Sequence, residues 1–230
     1  MVGKVSGNVP ERWGAGNPID VFQRIVCSPT GFDAGMANYH RKDGAYYKAK
    51  KSGLRSRAGI KLEDLDARYR LFRPGARVLD LGCWPGAWLQ IAVARTGGNG
   101  RVVGIDLVDT DPLEGVTFIC GDARRSETMD LAAEALGGKA DIVLSDMAPK
   151  LTGIRASDSA RLEDLAETAI RAAVALLAPN GTLVLKIFSP IESSITQQLK
   201  AAFTKVSKHR PDSTRKGSSE LYAVAQGLRG

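Results

Sequence analysis

The sequence predicts an α/β fold built on a mostly parallel sheet with helices on both faces. Three observations carry that reading. Short runs of β-branched and aliphatic residues recur along the chain: RVLDL (77–81), RVVGID (101–106), VTFIC (116–120), DIVLSD (141–146), TLVLKIF (182–188) and ELYAVA (220–225). Stretches with helical spacing separate most of them, the pattern of right-handed βαβ units. Asp80, Asp106, Asp146 and Lys186 stand at or near the ends of those runs, where open sheets of this kind bind their ligands.

Each element has its own justification. Residues 1–40 are rich in Gly, Pro and Asn without a sustained period, and read as a mostly irregular extension with one short helix near 19–26. Residues 41–227 form the single domain. Helices are expected at 43–52 and 57–69, the second carrying Ile60, Leu62, Leu65 and Tyr69 and ending before Arg73-Pro74-Gly75. The strand at 77–81 is followed by a helix at 87–94 and strands at 101–106 and 116–120. A helix at 128–136, a strand at 141–146 and a long helix at 157–177 come next, the last closed by Pro179-Asn180-Gly181. The strand at 182–188, a helix at 191–203 and a final strand at 220–225 complete the domain.

Composition narrows the function. The chain has 230 residues, 43% of them apolar, enough for one well-packed core. No apolar run approaches a membrane span, and the first residues lack the apolar core of a secretory signal, so a cytoplasmic protein with no membrane partner is expected. Cys27, Cys83 and Cys120 are too few and scattered for a disulfide framework, and His40 and His209 have no partner at metal-ligand spacing. No metal site is expected. The net charge of +7 favours a polyanionic partner. The stretch 46–61 (YYKAKKSGLRSRAGIK) holds six lysines and arginines, which serve equally as a solvated helix face or a phosphate-binding patch.

Two features ask for chemistry. Lys186 interrupts an apolar strand, where an unpaired ammonium would be costly. The loop DLGCWPGAW (80–88) has glycines at Gly82 and Gly86 but neither the G-x-G-x-x-G of a dinucleotide site nor the Lys-[Ser/Thr] of a phosphate loop. Asp106, some 20 residues further on, is placed to accept from ribose hydroxyls, and Asp122 from an adenine amine. An adenosyl ligand without pyrophosphate, such as S-adenosylmethionine, satisfies all three; plain caps and turns are the alternative.

Five segments, RSRAGIKL (55–62), VLDLGCWPGAW (78–88), LSDMAPKLTGI (144–154), LVLKIF (183–188) and SSELYAV (218–224), resemble in order the motifs of the FtsJ/RrmJ family. These are S-adenosylmethionine-dependent RNA ribose 2′-O-methyltransferases. The resemblance implies a Rossmann-like class I methyltransferase fold with an antiparallel C-terminal strand. It also implies a catalytic tetrad of Lys61, Asp146, Lys186 and Glu220. Gly86, Trp88, Asp106, Asp122 and Asp146 would contact the cofactor, and Tyr222 would lie near the substrate. Trp84 and Ala87 depart from the family's small residue and second glycine.

The reaction explains these residue types. Methyl transfer from a sulfonium is an in-line displacement governed by alignment and exclusion of water, and a ribose hydroxyl attacks only as its proton is removed. Lys186 is the expected base, oriented by Asp146 and Glu220, while Lys61 holds the hydroxyl or tunes the amine; a Lys186 that stays charged would instead orient the hydroxyl and stabilise the developing alkoxide. Lys50, Lys51, Arg55 and Arg57 are the expected RNA contacts. By resemblance the substrate is a uridine of large-subunit ribosomal RNA or an assembled ribosomal particle, met by a monomer. The rivals are a transfer RNA 2′-O-methyltransferase, an idle RNA-binding protein on the same fold, a nicotinamide oxidoreductase and a base methyltransferase.

Overall fold

The computed structural model describes residues 23–26, 44–214 and 217–229. Strands β1 (Gln23–Val26), β2 (Arg77–Leu81), β3 (Arg101–Asp106), β4 (Val116–Cys120), β5 (Ala140–Ser145), β6 (Leu177–Phe188), β7 (Phe203–His209) and β8 (Glu220–Leu228) form one sheet in the order β1-β4-β3-β2-β5-β6-β8-β7. The first six run parallel, and β8 pairs antiparallel with both β6 and β7.

Helices cover both faces. Helices α2 (Ala58–Tyr69) and α3 (Ala87–Thr96) bury Leu62, Leu65, Trp88 and Leu89 on one side, against Val78, Val184 and Tyr222. On the other, α4 (Ser126–Leu136), α5 (Arg155–Leu176) and α6 (Glu192–Ala202) pack Leu136, Ala169 and Leu199 on Leu79, Leu185 and Ala223. The period-2 alternation of β8 decides which residues meet which layer. Leu221, Ala223 and Ala225 join one cluster, Tyr222 and Val224 the other. Lys186 lies opposite Tyr222 in the register, and so shares the α2 face.

Two expectations need correction. Residues 23–26, placed in a short helix, form β1, paired in parallel register with β4 from Gln23↔Thr117 to Val26↔Cys120. The open ladder of β4 decides their conformation, which no local pattern reveals. Strand β7 is not among the elements the sequence predicts. Its Lys205 and Lys208 make it look like a charged connector, yet lysines are what a sheet edge uses to deter further pairing. The remaining expected residues of the N-terminal extension, with Cys27 and His40, lie outside the described residues.

The strand order places a switch between β2 and β5: the chain moves outward through β3 and β4 on one side and through β6 on the other. Asp80 and Asp146 therefore meet at the crevice where such sheets bind ligands. Helix α1 (Gly44–Lys51) lies beside α2 on the same side.

Candidate active site

The loop after β2 is pinned from several directions. The amides of Gly82 and Cys83 donate to the Ile105 carbonyl at 2.9 and 3.2 Å. Gly86, with φ of 100°, opens α3, and a Cβ there would stand 2.7 Å from the Arg55 guanidinium. That guanidinium, expected on RNA, donates to the carbonyls of Asp111 and Pro112 at 2.8 and 2.6 Å and to Pro85 and Thr110 at 3.4 Å. Arg55 is thus engaged as a clamp between two loops. The Trp88 indole N–H donates to the Ala58 carbonyl at 2.8 Å, tying the start of α3 to α2.

Ser56, Asp80, Gly82, Trp84, Trp88 and Asp146 line the resulting cleft. Asp80 is its most unusual member. The side chain is 1% exposed, and neither carboxylate oxygen has a hydrogen-bond partner among the described residues. Burial, then the nearby charges of Asp146 and Asp106, push its pKa well above the usual carboxylate range. A group in that state suits a cationic ligand. Asp106 accepts the amides of Trp84 and Val108, both at 2.8 Å. Burial raises its pKa while these donors hold it down. Asp122 is forked by Arg124 at 2.7–3.1 Å, which lowers its pKa.

The expected tetrad comes together on the α2 face. Lys61, 6% exposed, pairs with Glu220 of β8. Lys186, 9% exposed, donates to the backbone carbonyl of Asp146 and lies 3.1 Å from its Oδ1. The two pairs are joined by Tyr222, whose hydroxyl donates to Asp146 Oδ1 at 2.6 Å and accepts from Lys61 Nζ at 3.5 Å. Tyr222 is fully buried, its ring 5.8 Å from that of Trp88. Desolvation, then the carboxylates of Asp146 and Glu220, push its pKa well up, so the phenol stays protonated and donates. The residue expected beside the substrate is the bridge beneath the lysines.

Two further features escaped the sequence reading. His209 Nε2 lies 2.9 Å from Asp64 Oδ2, joining edge strand β7 to α2 one turn beyond Lys61. No sequence spacing signals that pair. Asp80 is the other: the sequence places it at the rim without a role, and an acid inside an apolar, buried strand is the signal that marks it. On the exposed side, Lys50 and Lys51 project from α1, and the Arg57 charge acts on Tyr222.

The model of the FtsJ-like methyltransferase family matches residues 54–228. A Paramagnetospirillum magneticum protein named Ribosomal RNA large subunit methyltransferase E is 44% identical over 194 residues, covering 82% of this chain and 80% of its own. A protein of the same name from Acidiphilium cryptum is 49% identical over 183 residues, covering 79% and 80%. A Plasmodium falciparum structure described as a ribosomal RNA methyltransferase superposes with a TM-score of 0.67 at 28% identity, covering 76% of this chain and 99% of its own. The MycE methyltransferase, at 17% identity and a TM-score of 0.52 over 82% of this chain and 50% of its own, shares the fold. With the family model matching residues 54–228, which hold strands β2–β8 and the residues that line the cleft, the chain belongs to the FtsJ-like methyltransferase family.

Proposed function

We propose that this protein methylates a ribose 2′-hydroxyl of large-subunit ribosomal RNA, a uridine, with S-adenosylmethionine as donor. The observation that carries the reading is the pair of lysine–carboxylate contacts, Lys61–Glu220 and Lys186–Asp146, joined through Tyr222 beside the cleft. The names of the relatives support ribosomal RNA as the substrate class.

When bound, S-adenosylmethionine supplies a sulfonium methyl group, whose departure leaves a neutral thioether. The residues present fit such a donor. Asp80 would hold its ammonium, Asp106 its ribose hydroxyls and Asp122 its adenine amine. Gly82 and Gly86 keep the backbone clear where a Cβ would collide with Met147 or Arg55. Trp88 closes the floor.

A neutral Lys186 amine takes the proton of the ribose hydroxyl, and the ammonium so formed rests against the carboxylate and carbonyl of Asp146. Tyr222 fixes that carboxylate, so the acceptor for the new charge is preorganised. Lys61, anchored by Glu220, orients the hydroxyl and stabilises its developing negative charge. Lys50 and Lys51, exposed on α1, offer contacts to the phosphates of the substrate, whether free RNA or RNA within an assembled particle.

Mapping ribose methylation across ribosomal RNA with and without the gene tests this. Loss of one 2′-O-methyl mark in the large subunit is expected. Unchanged ribosomal RNA with a mark lost from transfer RNA would refute the substrate assignment.

A further inference from the structure

Trp84 is the odd residue of the cleft. It lines the crevice with Asp80, Gly82 and Trp88, yet stands 46% exposed, while Trp88 beside it is buried and hydrogen-bonded. An indole with that much open apolar surface, in a crevice rather than on a convex face, has contact area to offer a ligand.

Its placement is fixed from both sides. The Trp84 amide donates to Asp106 Oδ2 at 2.8 Å, the next residue's carbonyl accepts from Thr110 at 3.2 Å, and the Gly86 amide closes the turn on the Cys83 carbonyl at 2.7 Å. A backbone held at three consecutive positions loses little freedom when a ligand packs on its side chain. The same Asp106 carboxylate is the acceptor assigned above to the ribose. Beyond it in sequence stands Leu107, 43% exposed, a second large apolar side chain at the end of β3. An acid for sugar hydroxyls, with an exposed indole bonded to it through the backbone and an exposed leucine next to it, is what a nucleoside requires.

We propose that the Trp84 indole forms a wall of the donor pocket, packing against the adenosine of S-adenosylmethionine and of its by-product S-adenosylhomocysteine. This rests on the reading of the cleft as the donor site. Trp84 is then a binding residue that sets affinity for donor and by-product, with no part in the proton transfer.

The test is calorimetric titration of the full chain with S-adenosylhomocysteine, comparing wild type, Trp84→Ala and Trp84→Phe, with the melting temperature of each free protein as a folding control. Trp84→Ala should bind on the order of tenfold more weakly, about 1.4 kcal/mol, and Trp84→Phe within about threefold of wild type. In turnover, Trp84→Ala should raise KM for the donor and leave kcat unchanged. Ligand-induced change of indole emission should shrink in Trp84→Phe while affinity persists. Equal affinity of wild type and Trp84→Ala would overturn the proposal and leave the donor site standing. Loss of RNA affinity alone would also overturn it, by assigning the indole to the substrate. A wild type that binds no S-adenosylhomocysteine would remove both.

Discussion

Replacing Asp80 with Asn should stabilise the ligand-free protein, and by more as pH rises. The carboxylate is buried with no partner for either oxygen among the described residues, and Asp146 and Asp106 add like charge. An uncompensated buried charge costs several kcal/mol, and an amide left in the same place costs about 1–3 kcal/mol. The difference favours Asn by about 1–2 kcal/mol, or about 2–8 °C in Tm for a chain of this size. The sign with pH follows from the raised pKa. The folded state binds the Asp80 proton more tightly than the unfolded state, so its contribution is fully present below the ordinary carboxylate range and lost as pH climbs through the folded value. The advantage of Asp80→Asn should therefore be near zero around pH 4 and widen toward about pH 8. Thermal melts across that range measure it. Added S-adenosylhomocysteine should reverse the order, because the wild type gains an ammonium partner that the variant lacks. A gap independent of pH, or a less stable variant at neutral pH, would refute the reasoning.

Other perturbations separate the parts of the site. Tyr222→Phe keeps the ring against Trp88 and removes the hydroxyl that joins Asp146 to Lys61; kcat should fall roughly tenfold, with S-adenosylhomocysteine affinity within about twofold of wild type. Arg55→Ala frees the loop carbonyls it clamps, so folding stability, read from thermal melts, should drop by about 1–3 kcal/mol and donor binding should weaken. Lys50→Ala with Lys51→Ala should leave Tm unchanged, weaken RNA binding and lower the salt slope of affinity by about two.

Much of this was legible in the sequence, because the buried parallel strands announce themselves as apolar runs and the chemistry sits at their ends. Asp80, Asp106, Asp146 and Lys186 were placed on one rim by strand ends alone, and their convergence follows from the switch between β2 and β5. Resemblance supplied Lys61 and Glu220, which look like solvated surface charges until α2 lies across β8. Edge strands were illegible: β1 takes its conformation from the open side of β4, and β7 carries the lysines of a connector. Side-chain partnership was hidden too. Arg55 looks like any basic residue of a basic stretch, and only folding brings the carbonyls of residues 85, 111 and 112 to its guanidinium.

The central claim is that Lys186, held by Asp146, removes the proton of a ribose hydroxyl. Its most direct test incubates particles from cells lacking the gene with purified protein and methyl-tritiated S-adenosylmethionine, then digests the RNA to nucleosides. Wild type should put label into a 2′-O-methylated nucleoside, and a folded, donor-binding Lys186→Ala should put in none. Label on a base, or undiminished transfer by Lys186→Ala, would contradict the account.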